Sequence, residues 1–167
     1  MTAQTHQHDI EIVVGDQSHD EFFFEAEVET TFLSLSPDQS HISREELAQR
    51  LRATHEKMFA QSGHIIFVAR DRNSGENLGL LWFGPRFDPI SCEDQAWIFN
   101  ITVVPAHRGC GIGKILMKHA ENYAAQNGFS SIGLTVSSHN ENARALYQKM
   151  DYAQTNILMR KNLEKLA

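Results

Sequence analysis

Gly109, Gly111 and Gly113 stand beside Arg108, directly before a helical pattern of apolar residues. Glycine costs roughly 0.5–1 kcal/mol relative to alanine inside a helix or strand, so three at one helix start need a reason other than packing. A helix N-terminus presents unpaired N–H groups and the positive end of the helix dipole, and glycine lets a ligand approach the backbone. The spacing therefore indicates a loop that binds a phosphate-bearing ligand.

Two common phosphate-binding motifs do not match this loop. A P-loop has the pattern G-x-x-x-x-G-K-[ST], but Lys114 is followed by Ile115, and no glycine lies five positions before Gly113. A dinucleotide fingerprint has the pattern G-x-G-x-x-G, whereas GCGIGK has G-x-G-x-G and lies late in the chain. A tight turn without a ligand would need one glycine rather than three with an arginine, which disfavours a purely structural loop.

The elements on either side of the loop can be predicted from periodicity. AWIFNITVV is a nearly continuous apolar run, typical of a central strand that is buried on both faces, and Pro105 ends it. The helix after the glycines ends near Gly128, a strand follows over 130–136, and Asn140 then caps a short helix.

The rest of the chain completes an alternating order. The further predicted elements are a strand over 9–14, a helix with an acidic first turn from Asp20, a helix capped by Ser43, strands over 64–71 and 77–84, a loop over 85–95 and a last strand over 155–160. The order β-α-α-β-β-β-α-β-α-β contains a strand–loop–helix–strand unit, which requires parallel strands. We expect a mixed α/β sheet in one domain over residues 1–167, with 1–8 as a flexible tail.

Residues 108–113, RGCGIG, match [Q/R]-x-x-G-x-[G/A], the pyrophosphate-binding signature of the GCN5-related N-acetyltransferase (GNAT) superfamily. NITVVPAHRGCGIGKILM resembles the strand–loop–helix core of that family. LTVSSHNENARALYQKMDY resembles its downstream segment, in which a helix starting at Asn140 carries the pair Leu146–Tyr147. The element order agrees over nearly the full chain. The resemblance implies a GNAT-like fold whose central parallel strands splay apart.

By this resemblance the cosubstrate is acetyl-CoA, with no metal. Its pyrophosphate is expected on the N–H groups of the glycine loop and its pantetheine arm on the edge exposed where the parallel strands splay, where a free N–H polarises the thioester carbonyl. Asn140 is expected either to bond pantetheine or to cap its helix. The residues assigned to the cofactor are Ile101, Thr102, Val103, Arg108, Gly109, Cys110, Gly111, Ile112, Gly113, Lys114, Asn140 and Ala143.

The resemblance favours Tyr147 as the acid that protonates the leaving thiolate, although its helical spacing fits a core aromatic as well. Many relatives have a Glu that acts as the general base, at positions that correspond here to Trp97 and Thr135. Neither of these residues can act as a base. Glu93 and Asp94 are the nearest carboxylates and the candidate bases, and a water chain to backbone carbonyls is an equal alternative. A CoA-binding or regulatory module that has lost catalysis is therefore the second hypothesis.

Two further positions depart from the family pattern. Cys110 stands where relatives often have a basic residue, and Asp151 stands after the last helix where they usually have glycine. We expect Asp151 either in the left-handed conformation or in a strained turn.

Charge is unevenly distributed along the chain. The net charge is −6, yet the first 60 residues hold 12 acidic and 4 basic residues. No basic patch interleaved with aromatic residues is present, which argues against a nucleic-acid partner, and no apolar run reaches the ~18–20 residues of a membrane span. Only Cys92 and Cys110 are present, which suits a reducing cytoplasm.

The acceptor is expected to be a primary amine, namely a small cationic amine, a polyamine or a peptide amine, attacked directly in a ternary complex. In relatives the first two helices line the acceptor side, so Glu25 and Glu29 are the candidate acceptor residues. The alternative is that these acids only keep the protein soluble. Homodimer formation is left open.

Overall fold

A computed structural model describes residues 9–159 and 161. Its strands are β1 (Ile10–Val14), β2 (Ile65–Asp71), β3 (Asn77–Asp88), β4 (Glu93–Val103) and β5 (Ile132–Leu134). Its α-helices are α1 (Asp20–Leu33), α2 (Arg44–Phe59), α3 (Ile112–Gln126) and α4 (Glu141–Lys149). The tail predicted over 1–8 lies outside the described residues. The described residues up to Thr135 form one compact unit, and those from Val136 onward form a second. One domain over 1–167 stays a prediction.

The five strands form one mixed sheet in the order β1-β2-β3-β4-β5. Neighbours are antiparallel from β1 to β4, and β4 pairs with β5 in parallel. The mixed α/β fold and its parallel pair are therefore confirmed. The central strand β3 is buried along most of its length, because helices cover both faces of the sheet there.

Helices α1 and α2 lie on one face of the sheet and α3 on the other. Phe23 and Ala26 of α1 belong to a core cluster with Val68, Leu80 and Trp82. On the opposite face, the rings of Phe67 and Phe83 contact the Tyr123 ring of α3 at 5.2 and 5.3 Å between centroids. Successive side chains of a strand point to opposite faces, so Phe67 and Val68 mark the two layers.

Two predicted boundaries are wrong. The loop expected over 85–95 is mostly strand, because β3 runs to Asp88 and β4 starts at Glu93. The turn between them is tight, since the Asp88 carboxylate accepts hydrogen bonds from the N–H groups of Ile90 (3.1 Å) and Ser91 (3.3 Å).

The last predicted strand is also wrong over the described residues. Residues 152–159 have no regular secondary structure, and Ile157, Leu158 and Met159 are exposed. A strand requires a neighbour for its backbone groups, and among the described residues this segment pairs with none. The apolar residues of this segment match the pattern of a strand, and this match led to the prediction. The pattern does not show whether a neighbouring strand is available for pairing.

Candidate functional site

Helix α3 begins without the usual stabilisation of a helix N-terminus. Gly111 is its N-cap, in the left-handed conformation, and supplies no side-chain hydrogen bond. The first helical bond from the cap runs from the N–H of Ile115 to the carbonyl of Gly111 (3.1 Å). The N–H groups of the first turn, at Ile112, Gly113 and Lys114, therefore have no helical acceptor, and the first turn carries no carboxylate. These donors, the helix dipole and the Lys114 ammonium together favour an anion.

The other described α-helices begin differently. The Ser43 hydroxyl accepts from the N–H of Glu46 at the start of α2 (3.1 Å), and the Asn140 side chain accepts from the N–H of Ala143 at the start of α4 (3.1 Å). Helix α1 has no side-chain cap but carries Asp20 and Glu21 in its first turn. In the described part of the chain, α3 is thus the α-helix that has neither a capping side chain nor an acidic first turn.

The three glycines of the loop have different reasons to be glycine. Gly109 and Gly111 have φ angles of +80° and +84°, which other residues adopt only with strain. Gly113 is the second residue of α3 and has no such angle. Its backbone conformation is open to any residue, so the backbone does not require glycine at this position.

Arg108 and Cys110 occupy the loop in different ways. The Nε of Arg108 donates to the carbonyl oxygen of Val103 (3.0 Å), which ties the loop to the end of β4. The Cys110 side chain is exposed, with its Sγ 3.8 Å from the carbonyl oxygen of Arg108. Arg108 therefore fixes the loop against the preceding strand, whereas the Cys110 side chain contacts the loop's own backbone.

Strand β4 leaves β5 after a short pairing. Only Ala96, Trp97 and Ile98 pair with β5, and the register of β4 against β3 shifts between Ile98 and Asn100, which makes Phe99 a bulge residue. From Phe99 to Val103, β4 has no strand partner on the β5 side among the described residues. The predicted splay of the two parallel strands is therefore present, and the bulge lies where it begins.

The antiparallel pattern shows which backbone groups reach this free edge. The N–H of Val104 donates to the carbonyl of Leu78 (2.9 Å), so alternation turns the backbone groups of Thr102 toward β3 and those of Ile101 and Val103 away from it. The bond from Arg108 to the Val103 carbonyl agrees with this direction. Ile101 and Val103 thus present backbone groups to the edge, whereas Thr102, predicted with them, does not.

The second compact unit holds the predicted residues of α4. Asn140 caps the helix through the N–H of Ala143, which is one of its two predicted roles. Tyr147 is buried, and burial raises the pKa of its phenol to about 12. Asp151 has a φ of +66°, so it adopts the left-handed conformation that was one of the two expectations for it.

The carboxylates considered as bases lie away from the free edge. Glu93 and Asp94 are exposed at the first residues of β4, paired with Asp88 and Phe87 of β3. Eight residues separate Glu93 from Ile101, or roughly 26 Å along a strand. The structure therefore does not bring these two candidates together with the edge or with the glycine loop.

Glu25 and Glu29, the acidic residues proposed for the acceptor site, differ in their contacts. Glu29 forms an ion pair with Arg44 across α1 and α2. Glu25 lines a groove of about 730 Å³ between these helices. The other carboxylates lining it are Asp20, Glu21 and Glu45. The groove has a net negative lining, and Glu29 is already neutralised by a partner.

Sequence reasoning missed a buried polar group on the α1 and α2 side of β4. Glu27 and Asn100 are hydrogen-bonded to each other, and His55 lies 3.1 Å from the Glu27 carboxylate. A signal was present, since Glu27 follows Phe23 by one helical turn on an apolar face and Asn100 interrupts an apolar run. Such polar residues at core positions need hydrogen-bond partners.

The described residues contain neither a metal-binding cluster nor a helix that could span a membrane. No group of three or more His, Cys, Asp or Glu side chains in this part of the chain is arranged to hold a metal ion. Within the same ranges, the helices are too short or too polar to cross a membrane.

Comparison with known families identifies the chain. The model described as the acetyltransferase (GNAT) family matches residues 21–152, so the protein belongs to this family. Among curated relatives, it is 38% identical over 102 residues to the uncharacterized N-acetyltransferase YdgE of Bacillus subtilis, which covers 61% of this chain and 64% of the relative. It is 36% identical over 111 residues to the [ribosomal protein bS18]-alanine N-acetyltransferase of Haemophilus influenzae, covering 61% and 74%. The match thus spans less than two thirds of the first relative.

Solved structures agree with the fold. A putative acetyl transferase from Pyrococcus furiosus superposes with a TM-score of 0.80 at 29% identity, covering 93% of this chain and all of that one. The aminoglycoside N-acetyltransferase AAC(6')-Iy, solved in complex with CoA, superposes with a TM-score of 0.68 at 15% identity, covering 93% and 95%. The second likeness shows the fold alone.

Proposed function

We propose that this protein is an acetyl-CoA-dependent N-acetyltransferase that transfers the acetyl group directly to a primary amine. The observation that carries the proposal is the start of α3, which lacks a cap and an acidic first turn and has a glycine at 113 that the backbone does not require. Membership of the GNAT family supports the same ligand.

The pyrophosphate of the cosubstrate would lie on the N–H groups of Ile112, Gly113 and Lys114. Each N–H would donate a charge-assisted hydrogen bond, which is roughly twice as strong as a neutral one. The absent side chain at Gly113 lets the phosphate oxygens approach, and the Lys114 ammonium adds a positive charge at the same turn.

The pantetheine arm would add to the free edge of β4 as an extra strand does. Ile101 offers an N–H and a carbonyl there, and Val103 offers an N–H, because its carbonyl already accepts from Arg108. One of these N–H groups would donate to the thioester oxygen and stabilise the negative charge that develops on it during attack. The acetyl thioester supplies an activated carbonyl, and the chain supplies its orientation.

Tyr147 would act as the acid toward the thiolate that leaves. Its raised pKa of about 12 keeps the phenol protonated throughout the neutral range, so its O–H can donate to the sulfur as negative charge develops there. The ammonium of the acceptor would lose one proton to solvent through water molecules that backbone carbonyls hold, since Glu93 and Asp94 lie at the far end of β4. The amine nitrogen then forms the amide bond as the carbon–sulfur bond breaks, and the second proton of the nitrogen replaces the one that Tyr147 gives to the sulfur.

The acceptor class follows from charge and from the relatives. The acidic groove that Glu25 lines would attract a cation. The relative from Haemophilus influenzae is named for an alanine of a ribosomal protein, which favours a peptide amine among the three candidate classes. Small cationic amines and polyamines remain the other members of the test set.

The decisive experiment measures acetyl-CoA consumption against cationic amines, polyamines, amino acids and peptides that begin with alanine. We expect acetyl-CoA to bind and at least one amine to be acetylated, with the product identified by mass. The lack of a carboxylate at Trp97 and Thr135 motivates the alternative, a CoA-binding module without catalysis. Binding without turnover of any amine would support that alternative, and absence of binding would refute both.

A further inference from the structure

A buried chain of hydrogen bonds joins α1, α2 and β4. The Glu27 carboxylate accepts from the side-chain amide of Asn100 and from Nε2 of His55 (3.1 Å). The Thr102 hydroxyl donates to Oδ1 of Asn100 (3.2 Å), and its oxygen lies 2.5 Å from the Thr30 hydroxyl oxygen. Glu27, His55 and Asn100 are all buried.

The chemistry of these groups gives the chain one direction. A carboxylate only accepts, so Asn100 must turn its NH₂ toward Glu27 and its oxygen toward Thr102. The single hydroxyl hydrogen of Thr102 goes to Asn100, so Thr30 donates to Thr102. The side chains of Asn100 and Thr102 are thus each held from helix α1.

These two residues flank Ile101, the residue whose N–H and carbonyl face the free edge of β4. A central strand normally forms backbone hydrogen bonds with a neighbouring strand on each side. At Ile101, however, β4 no longer pairs with β5. Glu27 and Thr30 lie three residues apart on one face of α1, and Asn100 and Thr102 two apart on one face of β4. Side-chain bonds to α1 therefore supplement the pairing with β3 in the part of β4 that β5 no longer pairs with.

A carboxylate is a costly group for mere contact between a helix and a sheet. Its burial is unfavourable unless it is well bonded, and well-packed apolar side chains often serve such positions at least as well. An apolar pair, however, adds no directed bond to the pairing of β4 with β3. The hydrogen bonds of Glu27 are directed, and they lie next to the N–H proposed to polarise the thioester.

We propose that Glu27 is a positioning residue for acetyl transfer, which acts through Asn100 to hold Ile101 in the orientation that polarises the thioester. This assignment rests on the proposed function. We expect Glu27 to affect the transition state of acetyl transfer more than the binding of the cofactor, because the proposed pyrophosphate contacts on α3 do not involve Glu27.

The test compares Glu27→Met, which keeps the length and removes both acceptor oxygens, with Glu27→Gln, which keeps an acceptor for Asn100. Turnover is measured with acetyl-CoA and the amine acetylated fastest in the panel, and CoA affinity by calorimetry. We expect the Met variant to lose about 10- to 100-fold in kcat, as for a misplaced oxyanion donor. Its Kd for CoA, which lacks the acetyl carbonyl, should stay within about threefold of the wild-type value. The Gln variant should recover most of the loss.

Two controls separate the outcomes. Glu56→Met makes the same change at an exposed position of α2 and should leave kcat unchanged. Thr30→Val removes the other anchor without changing shape and should lower kcat in the same sense as Glu27→Met. Unchanged kcat in both Glu27→Met and Thr30→Val would overturn the assignment, and so would kcat and CoA-binding capacity falling in parallel. Wild-type protein that binds no CoA would refute the proposed function itself.

Discussion

Helices α2 and α3 have similar lengths but begin in opposite ways. Helix α2 starts with Ser43, whose hydroxyl caps the N–H of Glu46, and its first turn carries Glu45 and Glu46. Helix α3 starts with a left-handed glycine, no cap and Lys114 in the position that Glu46 occupies in α2. The first arrangement stabilises the helix, whereas the second leaves its N–H donors without a side-chain acceptor and therefore suits an anionic ligand. The proposed function rests on this difference between the two helix starts.

The strongest test of this contrast is Gly113→Val. A branched side chain at the second helical residue would stand in the space proposed for the pyrophosphate and break several charge-assisted bonds. We expect acetyl-CoA affinity to fall by at least about 100-fold, since each such bond contributes about 1.5–3 kcal/mol. The fold should persist because Gly113 has a helical conformation.

The matched control for Gly113→Val is Glu45→Val, the second residue of α2. It should leave acetyl-CoA affinity as in the wild type. Calorimetric titration measures both variants, and circular dichroism confirms their helix content. Full affinity in Gly113→Val would remove the glycine loop from the cofactor site.

Helix α4 extends the comparison, because its N-terminus is capped by Asn140 as α2 is capped by Ser43. A capped helix is expected to contribute side chains rather than its terminal N–H groups. Tyr147→Phe keeps the ring and removes the proton donor, so kcat should fall about 10- to 1000-fold while acetyl-CoA affinity holds. Steady-state kinetics with calorimetry checks this, and an unchanged kcat would return Tyr147 to a packing role.

Reversing the charge at the start of α3 should raise the stability of the fold and weaken the binding of acetyl-CoA. Lys114→Glu gives α3 the residue that α2 has, so it should stabilise the fold by about 0.3–1 kcal/mol. The same change should weaken acetyl-CoA binding about tenfold, because it places an anion at the phosphate site.

The reciprocal variant Glu46→Lys should destabilise the protein by a similar amount and leave acetyl-CoA affinity unaltered. Urea titration gives the stabilities and calorimetry the affinities. If Lys114→Glu lowered stability and left acetyl-CoA affinity unchanged, the start of α3 would be an ordinary helix start, and the contrast with α2 would have no functional meaning.

What the sequence predicts depends on whether the signal is local. The Ser43 cap and the glycine loop are fixed by a few neighbouring residues, and the structure has both of them. The parallel pairing of β4 and β5 follows from chain topology and was predictable for that reason.

The remaining features depend on contacts between distant residues. Whether residues 155–159 form a strand depends on a neighbouring strand to pair with, and the residues of the segment do not specify one. The directions of the Ile101 and Thr102 backbone groups follow from the register with β3. Glu27 contacts Asn100 across 73 positions, so spacing could mark Glu27 as a polar residue at a core position but could not predict its partner.

The smallest expected effect concerns the helix C-termini, where α3 and α4 are alike in bonding and differ in residue type. In α3, Phe129 donates to the Ala124 carbonyl (3.1 Å) and Gly128 to that of Ala125 (3.2 Å). In α4, the N–H of Tyr152 donates to the Tyr147 carbonyl (3.0 Å) and that of Asp151 to Gln148 (3.2 Å). Both are Schellman motifs, with Gly128 at φ +83° and Asp151 at φ +66°.

A left-handed residue with a side chain costs roughly 1–2 kcal/mol, offset in part by the larger entropy that glycine loses on folding. Asp151→Gly should therefore stabilise the protein by about 0.5–1 kcal/mol, and Gly128→Asp should destabilise it by a comparable amount. Neither variant should change acetyl-CoA affinity, since both positions follow the helices rather than precede them. Urea unfolding of the two variants measures the difference directly. A loss of stability in Asp151→Gly would mean that the aspartate side chain contributes a contact worth more than the strain, and that the end of α4 is fixed by more than its backbone bonds.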